Sequence, residues 1–379
     1  MIKRELQKTI IEKLHNYDKS ILLYGARQVG KTTLVKNIIN ELGYKTLSIN
    51  ADENKYTDVL SSRDLLRIKS LVEGYELLFI DEAQRIPDIG INLKIIIDGI
   101  PNLKVIATGS SSFDLANKVS EPLTGRVWPY TLFPISFLEL NSTENSFELN
   151  EELSQRLIYG SYPEIFSLIN NTDKEEYLKN LSDNYLYKDI FDISDIKNTL
   201  QIRNLLKLLS FQIGSEVSLS EIGSQLEMSK NTVAKYIDLL EKSFVVFRLS
   251  AFNKNLRKEV SRMDKIYFYD LGIRNIVIDN LKDISNRNDI GQLWENFLIL
   301  ERMKTLKYNR VSYSKYFWRT YTGAKLDYIE EKGETLHGYE FKVNSNKAKL
   351  PKSWIETYKN SDFKLINKTN YIKFILNQK

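Results

Sequence analysis

Cysteine is absent from this 379-residue sequence, and histidine occurs only twice, as His15 and His337. The absence of cysteine excludes disulfide bonds, thiolate metal ligands and a cysteine nucleophile. Two histidines also leave little room for a histidine-rich metal site. We therefore expect oxygen atoms to hold any metal ion that this protein binds.

Long apolar runs are missing as well. No segment approaches the ~20 apolar residues that a membrane-spanning helix needs. Residues 1–14 have the pattern of an amphipathic helix and not that of a secretory signal. The sequence therefore predicts a soluble, cytoplasmic protein without a membrane partner, and its length predicts two or three domains.

The net charge of +5 is unevenly distributed along the chain. Residues 256–379 carry 24 Lys and Arg against 15 Asp and Glu, a charge of +9, whereas residues 1–255 carry 30 against 34, a charge of −4. The positive C-terminal third indicates a polyanionic partner such as DNA. Lysines on an ordinary solvated surface are the alternative explanation.

The most specific motif lies near the amino end. Residues 22–33, LLYGARQVGKTT, fit the pattern GxxxxGK[ST] between an apolar strand and a helical segment. Glycine lets the backbone approach phosphate, and backbone N–H groups at the start of the helix point at the anion. The residues predicted to bind ATP in this loop are Gly25, Ala26, Arg27, Gln28, Val29, Gly30, Lys31, Thr32 and Thr33. We expect Lys31 to reach the β and γ phosphates and the Thr32 hydroxyl to bind Mg²⁺.

An acidic pair ends a second apolar strand, in the run LLFIDE. Asp81 is predicted to hold the Mg²⁺ ion through water, and Glu82 to orient the water that attacks the γ-phosphate. The later segment ATGSS contains Thr108 and Ser110, whose hydroxyl groups either sense the γ-phosphate or cap the loop locally.

Arg126, in LTGRV, is the remaining candidate in this part of the chain. Its guanidinium group could offset transition-state charge on a nucleotide bound by the same chain or by a neighbouring subunit of an oligomer. A surface salt bridge is the alternative.

Strands and helices alternate from residue 20 to residue 108, which predicts an α/β fold with a doubly wound parallel sheet. Residues 141–150 are polar and without apolar periodicity, so they are predicted to form a linker. Residues 151–210 have apolar residues at helical spacing, with a break at 160–163. From residue 265 onward the pattern predicts a second α/β domain with a mixed sheet.

Two short helical segments, 219–226 and 229–241, are followed by a predicted β-ribbon at 244–250, the outline of a winged helix-turn-helix. Ser229 is the expected N-cap of the second helix. Lys230, Asn231 and Lys235 would face DNA if this helix reads it. The segment carries no excess of positive charge, and a rigid spacer is the alternative role.

The phosphate loop, IDEAQRIP, TGSS, LTGR, LFPISFLEL, GSYPE and the helix-turn-helix occur in this order. The chain thereby resembles prokaryotic AAA-type ATP-binding proteins that carry a C-terminal domain of unknown function with a restriction-endonuclease-like fold. The resemblance implies ATP hydrolysis, DNA handling and a core of the PD-(D/E)xK type. The patterns along the chain predict a division into a P-loop ATPase domain, 1–150, a helical lid or linker, 151–210, a winged helix, 211–255, and a last α/β domain, 256–379, which the resemblance implies is endonuclease-like.

Four residues of the last segment could form a site: Glu295 in LWENF, Asp327 in KLDYI, and Glu340 and Lys342 in YEFKV. Residues two apart on a strand face the same side, so Glu340 and Lys342 would project together. Three carboxylates would make an oxygen site for Mg²⁺, and the lysine could stabilise phosphorane charge. The resemblance maps onto these residues, although no Pro-Asp pair precedes position 327. Alternating charged and apolar residues on an amphipathic strand are the other explanation.

Together these patterns predict a Mg²⁺-dependent ATPase that acts on DNA, with a metal-dependent nuclease as a further possibility. A nucleotide-dependent regulatory switch, whose last domain binds nucleic acid or protein without cutting, is the first alternative. A sensor for a partner protein, without any role for DNA, is the second.

Overall fold

The computed structural model describes residues 2–109, 123–142, 144–186, 199–252, 263–320, 323–345, 347 and 350–377. The chain folds into two compact units, one built mainly from residues 2–135 and the other mainly from residues 136–377. In the part of the chain that is described, no helix combines the length and the apolar character needed to cross a bilayer.

The first unit alternates helices and strands, as its sequence predicts. Its elements are α1 (Leu6–Asn16), β1 (Ser20–Tyr24), α2 (Lys31–Leu42), β2 (Thr46–Asn50), α3 (Asn54–Leu60), α4 (Leu65–Val72), β3 (Leu77–Asp81), α5 (Ile89–Gly99), β4 (Lys104–Gly109) and β5 (Val127–Thr131). The strands β1 and β3 are apolar and almost wholly buried, as expected for strands covered on both faces.

The five strands form one sheet in the order β2-β3-β4-β1-β5, and every neighbouring pair is parallel. The parallel α/β sheet predicted from the sequence is therefore confirmed. The strand β4 lies between β1 and β3. Because all strands run the same way, the loop after β1 and the acidic pair after β3 meet at one edge of the sheet, where ligands of open α/β sheets bind.

The second unit begins with helices and ends with a mixed sheet. Its elements are α6 (Phe137–Leu140), α7 (Ser146–Glu151), α8 (Leu153–Tyr159), α9 (Asn171–Asn180), α10 (Thr199–Phe211), α11 (Leu219–Gln225), α12 (Lys230–Lys242), β6 (Val246–Ala251), β7 (Lys265–Phe268), α13 (Leu271–Val277), α14 (Ile290–Tyr308), β8 (Ser314–Arg319), β9 (Lys325–Lys332), β10 (Thr335–Phe341), α15 (Lys352–Thr357), β11 (Ser361–Ile366) and α16 (Tyr371–Ile375).

Six strands of this unit form one sheet in the order β11-β10-β9-β8-β6-β7. The hairpin β6-β7 joins it because Ser250 and Ala251 pair in parallel with β8. The strands on either side of the predicted boundary at residue 255 therefore belong to one sheet. Backbone pairing between strands distant in sequence leaves no trace in local composition, so the sequence could not reveal this continuity.

The predicted linker at 141–150 is wrong in its second half, because the helix α7 begins at Ser146. The side chain of Asn145 accepts from the backbone of Phe147 and Glu148, and Glu148 returns a bond to the Asn145 backbone. This capping box stabilises a short helix. Leu149 is buried and anchors it.

The two helices predicted at 219–226 and 229–241 are present as α11 and α12 and are joined by a short turn. The Ser229 hydroxyl accepts from the Thr232 backbone N–H at 3.0 Å, which confirms Ser229 as the N-cap of α12. The turn is tight, since a Cβ atom at Gly223 would lie 2.6 Å from the Met228 carbonyl oxygen. The side chains of α12 predicted to face outward are exposed: Lys230, Asn231 and Lys235.

The predicted break between helices at 160–163 is also present, and it is caused by the buried side chain of Asp270. Gly160 has a φ of 75°, and a Cβ atom there would lie 2.0 Å from Asp270 Oδ1. The other oxygen of Asp270 accepts from the Ser161 backbone at 2.7 Å. Burial raises the pKa of Asp270 to about 6, against the opposing effect of its backbone hydrogen bonds.

Candidate functional site

The phosphate loop joins β1 to α2 in a shape that only glycine allows at its start. Gly25 has a φ of 155°, and a Cβ atom there would lie 2.3 Å from the Leu132 carbonyl oxygen. Gly30, at the other end of the loop, has a φ of 92° and stands directly before α2. The loop therefore leads into the N-terminus of a twelve-residue helix, which favours anion binding.

Lys31 is the best-placed cation of this loop. Its side chain is buried, and its ammonium group donates to the carbonyl oxygens of Gly25 at 2.9 Å and Ala26 at 3.0 Å. The loop's own backbone thus positions the ammonium group over the loop. A phosphate oxygen is a stronger acceptor than a carbonyl oxygen, because the bond to it is charge-assisted on both sides.

Asp81 connects the loop to the neighbouring strands. Its Oδ2 accepts from the Thr32 hydroxyl at 2.7 Å, and its Oδ1 accepts from the Thr108 hydroxyl. Thr108 is fully buried, and its Oγ1 also accepts from the Glu82 backbone N–H at 3.3 Å. The structure therefore brings together Thr32, Asp81, Glu82 and Thr108, as the sequence predicts, whereas Ser110 lies outside the described residues.

Glu82 follows the end of β3 in a left-handed backbone conformation, with a φ of 53°. Its carboxylate accepts a bond from the side-chain amide of Gln84 at 2.5 Å. Gln84 was not predicted as a site residue, although its position two residues after Glu82 is visible in the sequence. It orients the carboxylate that a hydrolytic mechanism would use.

The donor atoms of this site suit Mg²⁺. Thr32 and Asp81 offer a hydroxyl and a carboxylate oxygen 2.7 Å apart, and both are hard oxygen donors. Mg²⁺ in nucleotide sites keeps several waters and takes only one or two protein ligands beside the phosphates. The residues present therefore fit the ion, with Thr32 and Asp81 as those that would hold it.

Arg4 is a positioning residue that the sequence did not reveal. Its buried guanidinium group donates to the Val29 carbonyl oxygen at 2.7 Å and to the Phe133 carbonyl oxygen at 2.5 Å. It therefore fixes the phosphate loop against the segment after β5. No sequence signal could have found it, since its two acceptors are backbone groups 25 and 129 residues away.

Arg126 lies at the opposite edge of the sheet. It stands directly before β5, whose first residue, Val127, pairs with Ser20, whereas the phosphate loop follows Tyr24 at the other end of β1. Its guanidinium group binds Asp98, with Nε 2.6 Å from Oδ1. The hypothesis that Arg126 acts on a nucleotide of its own chain is therefore not supported, and the salt-bridge alternative describes what the structure contains.

A second polar cluster lies in the second unit, around Glu295 of α14. Its Oε1 accepts from the Lys265 ammonium group at 2.9 Å and from the Tyr267 hydroxyl at 2.5 Å. Lys265 and Tyr267 alternate along β7, so both face α14. Alternation along the strand places Lys265 and Tyr267 on one face, but it does not specify which helix that face contacts.

Two of the other predicted residues, Asp327 and Lys342, lie within electrostatic reach of Glu295. The Glu340 carboxylate and the Lys342 ammonium group lie 3.0 Å apart, so they project to the same side as expected. Asp327 accepts from the Phe341 backbone N–H at 2.9 Å. The hydrogen bond that Lys342 donates to Glu340 raises the pKa of Lys342, and the charges of Asp327 and Glu295 add to this effect.

These acids do not form a metal-binding set. Within the described ranges, no three acidic or histidine side chains are arranged to hold a metal ion. The metal site predicted from Glu295, Asp327 and Glu340 is therefore not present in this arrangement. The physical reason is that lysine ammonium groups neutralise two of the acids, and a backbone N–H occupies an oxygen of the third.

Burial changes the pKa of Glu295 more strongly than the charge of Lys265 does. The pKa of Glu295 is raised, first by burial and further by the charge of Asp327, while Lys265 and the hydrogen bond from Tyr267 oppose the increase. The carboxylate is thus held in an environment where its charge is costly.

Comparison with known families separates the two units. Residues 17–141 match the family model of an AAA domain. Residues 150–285 and 290–373 match two domains of unknown function, DUF8612 and DUF4143. Most of the first unit is therefore similar to an AAA domain.

Related sequences extend over most of the chain. An uncharacterised protein of Mycobacterium tuberculosis is 28% identical over 329 residues, which cover 86% of this chain and 70% of the relative. An uncharacterised protein of Methanocaldococcus jannaschii is 25% identical over 304 residues, covering 75% of this chain and 66% of the relative. Among solved structures, a Walker-type ATPase of Pyrococcus abyssi is 14% identical, with a TM-score of 0.48 over 73% of this chain and 96% of its own.

Proposed function

We propose that this protein binds ATP with Mg²⁺ at the phosphate loop and hydrolyses it. The observation that carries the proposal is the hydrogen-bonded group of Thr32, Asp81 and Thr108, with the buried Lys31 and Glu82 beside it. An AAA-type domain supplies the fold in which such a group acts on a nucleotide.

Each side chain has a distinct task in this proposal. Lys31 exchanges its loop carbonyl partners for oxygens of the β and γ phosphates, and the Thr108 hydroxyl exchanges Asp81 for the γ-phosphate as its acceptor. Thr32 and Asp81 would hold the Mg²⁺ ion, which supplies charge neutralisation of the phosphates when bound. Glu82, oriented by Gln84, accepts a hydrogen bond from the attacking water. Phosphoryl transfer depends on such positioning and charge neutralisation more than on covalent help.

The test is ATP turnover in three variants of the full chain. Glu82→Gln should lower kcat by about 100-fold or more while ATP still binds, because it removes the water-orienting carboxylate. Lys31→Ala should weaken ATP binding itself. Glu73→Gln, at an exposed glutamate of the same unit, is the control and should be unaffected. Equal turnover in Glu82→Gln and the control would remove the proposal.

We also propose that the second unit binds DNA. Two observations support this: the +9 charge of residues 256–379, and the exposed Lys230, Asn231 and Lys235 on the helix after the turn. Affinity for a DNA duplex should fall steeply between about 50 and 200 mM salt. Lys230→Gln combined with Lys235→Gln should reduce that dependence. If the second unit does not bind DNA, or if its affinity does not change with salt, the nucleotide-dependent switch or the sensor for a partner protein is favoured instead.

Metal-dependent DNA cleavage is a second candidate function of this unit. The ion pair of Glu340 with Lys342, and the effect of the Asp327 and Glu295 charges on that lysine, support it, although within the described ranges no three acids are arranged to hold a metal ion. The cleavage proposal requires Lys265 to release Glu295, because the acids are now paired with cations. Supercoiled DNA incubated with Mg²⁺ or Mn²⁺ should then be nicked by the native protein and not by Glu340→Gln, whereas Glu334→Gln serves as an exposed control. No nicking with either metal would favour the binding-only alternative.

A further inference from the structure

A polar cavity of about 420 Å³ lies in the second unit, away from the acidic cluster. It is lined by strands β9, β10 and β11 and by the helices α14 and α16. His337 and Tyr339 of β10 line it, whereas Glu340 is their neighbour in sequence and belongs to the acidic cluster. Successive side chains of a strand point to opposite faces, so the cavity and the acidic cluster occupy opposite faces of the sheet.

Positive charge exceeds negative charge at the base of the cavity. Glu330 is fully buried there and binds two cations, Arg302 at 2.6 Å and Lys332 at 2.6 Å. Arg302 and Lys332 both line the cavity. A single carboxylate cannot neutralise two full charges, so this buried group is left with one net positive charge.

The rim adds further positive charge. Lys364 of β11 and Lys373 of α16 line the cavity and are exposed, and neither forms an ion pair within the described ranges. The one acid among the lining residues, Asp362, is bonded to His337 Nδ1 at 2.9 Å. With His337 neutral, four cations and two carboxylates therefore give the cavity and its base a formal charge of +2.

The remaining lining favours an organic ligand over a bare ion. Tyr339 and Phe374 form an apolar side, with ring centroids 4.8 Å apart. The volume falls within the range of about 300–1,000 Å³ that is usual for small-molecule sites. Ammonium groups at the rim would donate charge-assisted hydrogen bonds to phosphate oxygens, as lysines do at phosphate sites.

We propose that this cavity binds a phosphomonoester group carried by a small molecule of nucleotide size. The phosphate lies between Lys332, Lys364 and Lys373, and the organic part lies toward Tyr339 and Phe374. This site is separate from the phosphate loop, and the proposal does not depend on ATP hydrolysis.

The experiment measures binding of adenosine 5′-monophosphate to the full chain by calorimetry. Lys31→Ala serves as the background, so that binding at the phosphate loop is suppressed. Replacing Lys364 and Lys373 together by glutamine should weaken binding about tenfold or more, because each supplies a charged bond to the phosphate. Adenosine, which lacks the phosphate, should bind at least tenfold more weakly than the monophosphate.

The matched control replaces Lys352 and Lys359 by glutamine. Both are exposed lysines of the same unit that do not line the cavity, and the change in net charge is the same. The control should keep native affinity. An equal loss in both double variants, or no binding of the monophosphate in the background variant, would overturn the proposal. Since all four lysines are exposed, thermal unfolding should be unchanged and confirms that the variants are folded.

A further arm separates a free nucleotide from the end of a nucleic acid. An oligonucleotide with a 5′-phosphate is compared with the same oligonucleotide bearing a 5′-hydroxyl. Preference for the phosphorylated end over the free monophosphate, lost on replacing Lys364 and Lys373, would overturn the small-molecule assignment. Equal binding of the two oligonucleotides supports it.

Discussion

The two polar clusters of this protein hold their acids in different electrostatic settings. In the first unit, Asp81 accepts from the hydroxyl groups of Thr32 and Thr108, which carry no charge. In the second unit, Glu295 accepts from the ammonium group of Lys265. A carboxylate bonded to hydroxyl groups keeps its full charge available for a cation, whereas one bonded to an ammonium group is already neutralised.

This difference decides which cluster should need a metal ion. In the proposed site, Mg²⁺ and a nucleotide would compensate the charge of Asp81, which accepts from two hydroxyl groups. Lysine side chains bind Glu295 and Glu340 of the second unit, so these two acids need no metal ion to offset their charge. Divalent cations should therefore act strongly on the first unit and weakly on the second.

The largest expected effect comes from removing the charge of Asp81. Asp81→Asn keeps the size of the side chain but loses the carboxylate, so Mg²⁺ activation of ATP turnover should fall by about 100-fold or more. Glu295→Gln should leave the Mg²⁺ dependence of turnover unchanged. Turnover measured across a Mg²⁺ titration distinguishes the two. Equal responses in both variants would contradict the assignment of the metal ion to the first unit.

The next effect concerns stability and tests the second cluster. Lys265→Met leaves the Glu295 charge buried without its cation, and such a loss costs about 3 kcal/mol of unfolding free energy at pH 8. Chemical denaturation of the variant and the native protein measures it. Combining the change with Glu295→Gln should recover much of the loss, because no buried charge then remains.

The pH dependence of that variant has a definite sign. Burial already raises the pKa of Glu295 in the native protein, and Lys265 opposes the increase. Without Lys265 the pKa rises further. An acid whose pKa is higher in the folded than in the unfolded state stabilises the folded state fully below the unfolded pKa. This contribution is lost as the pH rises through the folded pKa. The deficit of Lys265→Met should thus be smaller at pH 5 than at pH 8.

A smaller effect is expected at Arg4, which supports the phosphate loop from outside. Arg4→Ala leaves the carbonyl oxygens of Val29 and Phe133 without their donor, at a cost of about 2 kcal/mol in local stability. The Michaelis constant for ATP should rise more than kcat falls, because the loop binds phosphate while Glu82 positions water. Arg4→Lys, which keeps the charge but cannot reach both oxygens, should resemble Arg4→Ala. Unchanged ATP affinity in both would show that the loop needs no such support.

Short sequence patterns predicted the features that depend on residues close together in the chain, such as the phosphate loop and a helix cap. The phosphate loop needs glycine at Gly25 because of its backbone angle, and Ser229 caps a helix through a bond three residues away. Asn145 and Glu148 also carry a capping signal that was visible in the sequence, but their polar surroundings were interpreted as a linker. Composition is thus a weaker indicator of a loop than the spacing of its capping residues.

Contacts between residues far apart along the chain could not be predicted from the sequence. Arg4 donates to backbone oxygens far along the chain, and Lys265, the partner of Glu295, is 30 residues away on strand β7. The predicted convergence of four residues in the second unit did identify the right neighbourhood. It missed the lysine that neutralises the cluster, because local alternation does not specify which side chain a strand faces across a fold.

The smallest expected effect is at Arg126, and it decides whether the first site is complete within one chain. Along β5, about 16 Å of extended strand separates Arg126 from the sheet edge that carries the phosphate loop. Arg126→Ala should therefore leave turnover per chain at low protein concentration within about twofold of native, since an exposed salt bridge contributes little. Asp98→Asn breaks the same ion pair but keeps the guanidinium group. If native turnover per chain rises with protein concentration and only Arg126→Ala abolishes the rise, the arginine acts on a neighbouring subunit. If Arg126→Ala and Asp98→Asn behave identically, Arg126 forms only a surface ion pair.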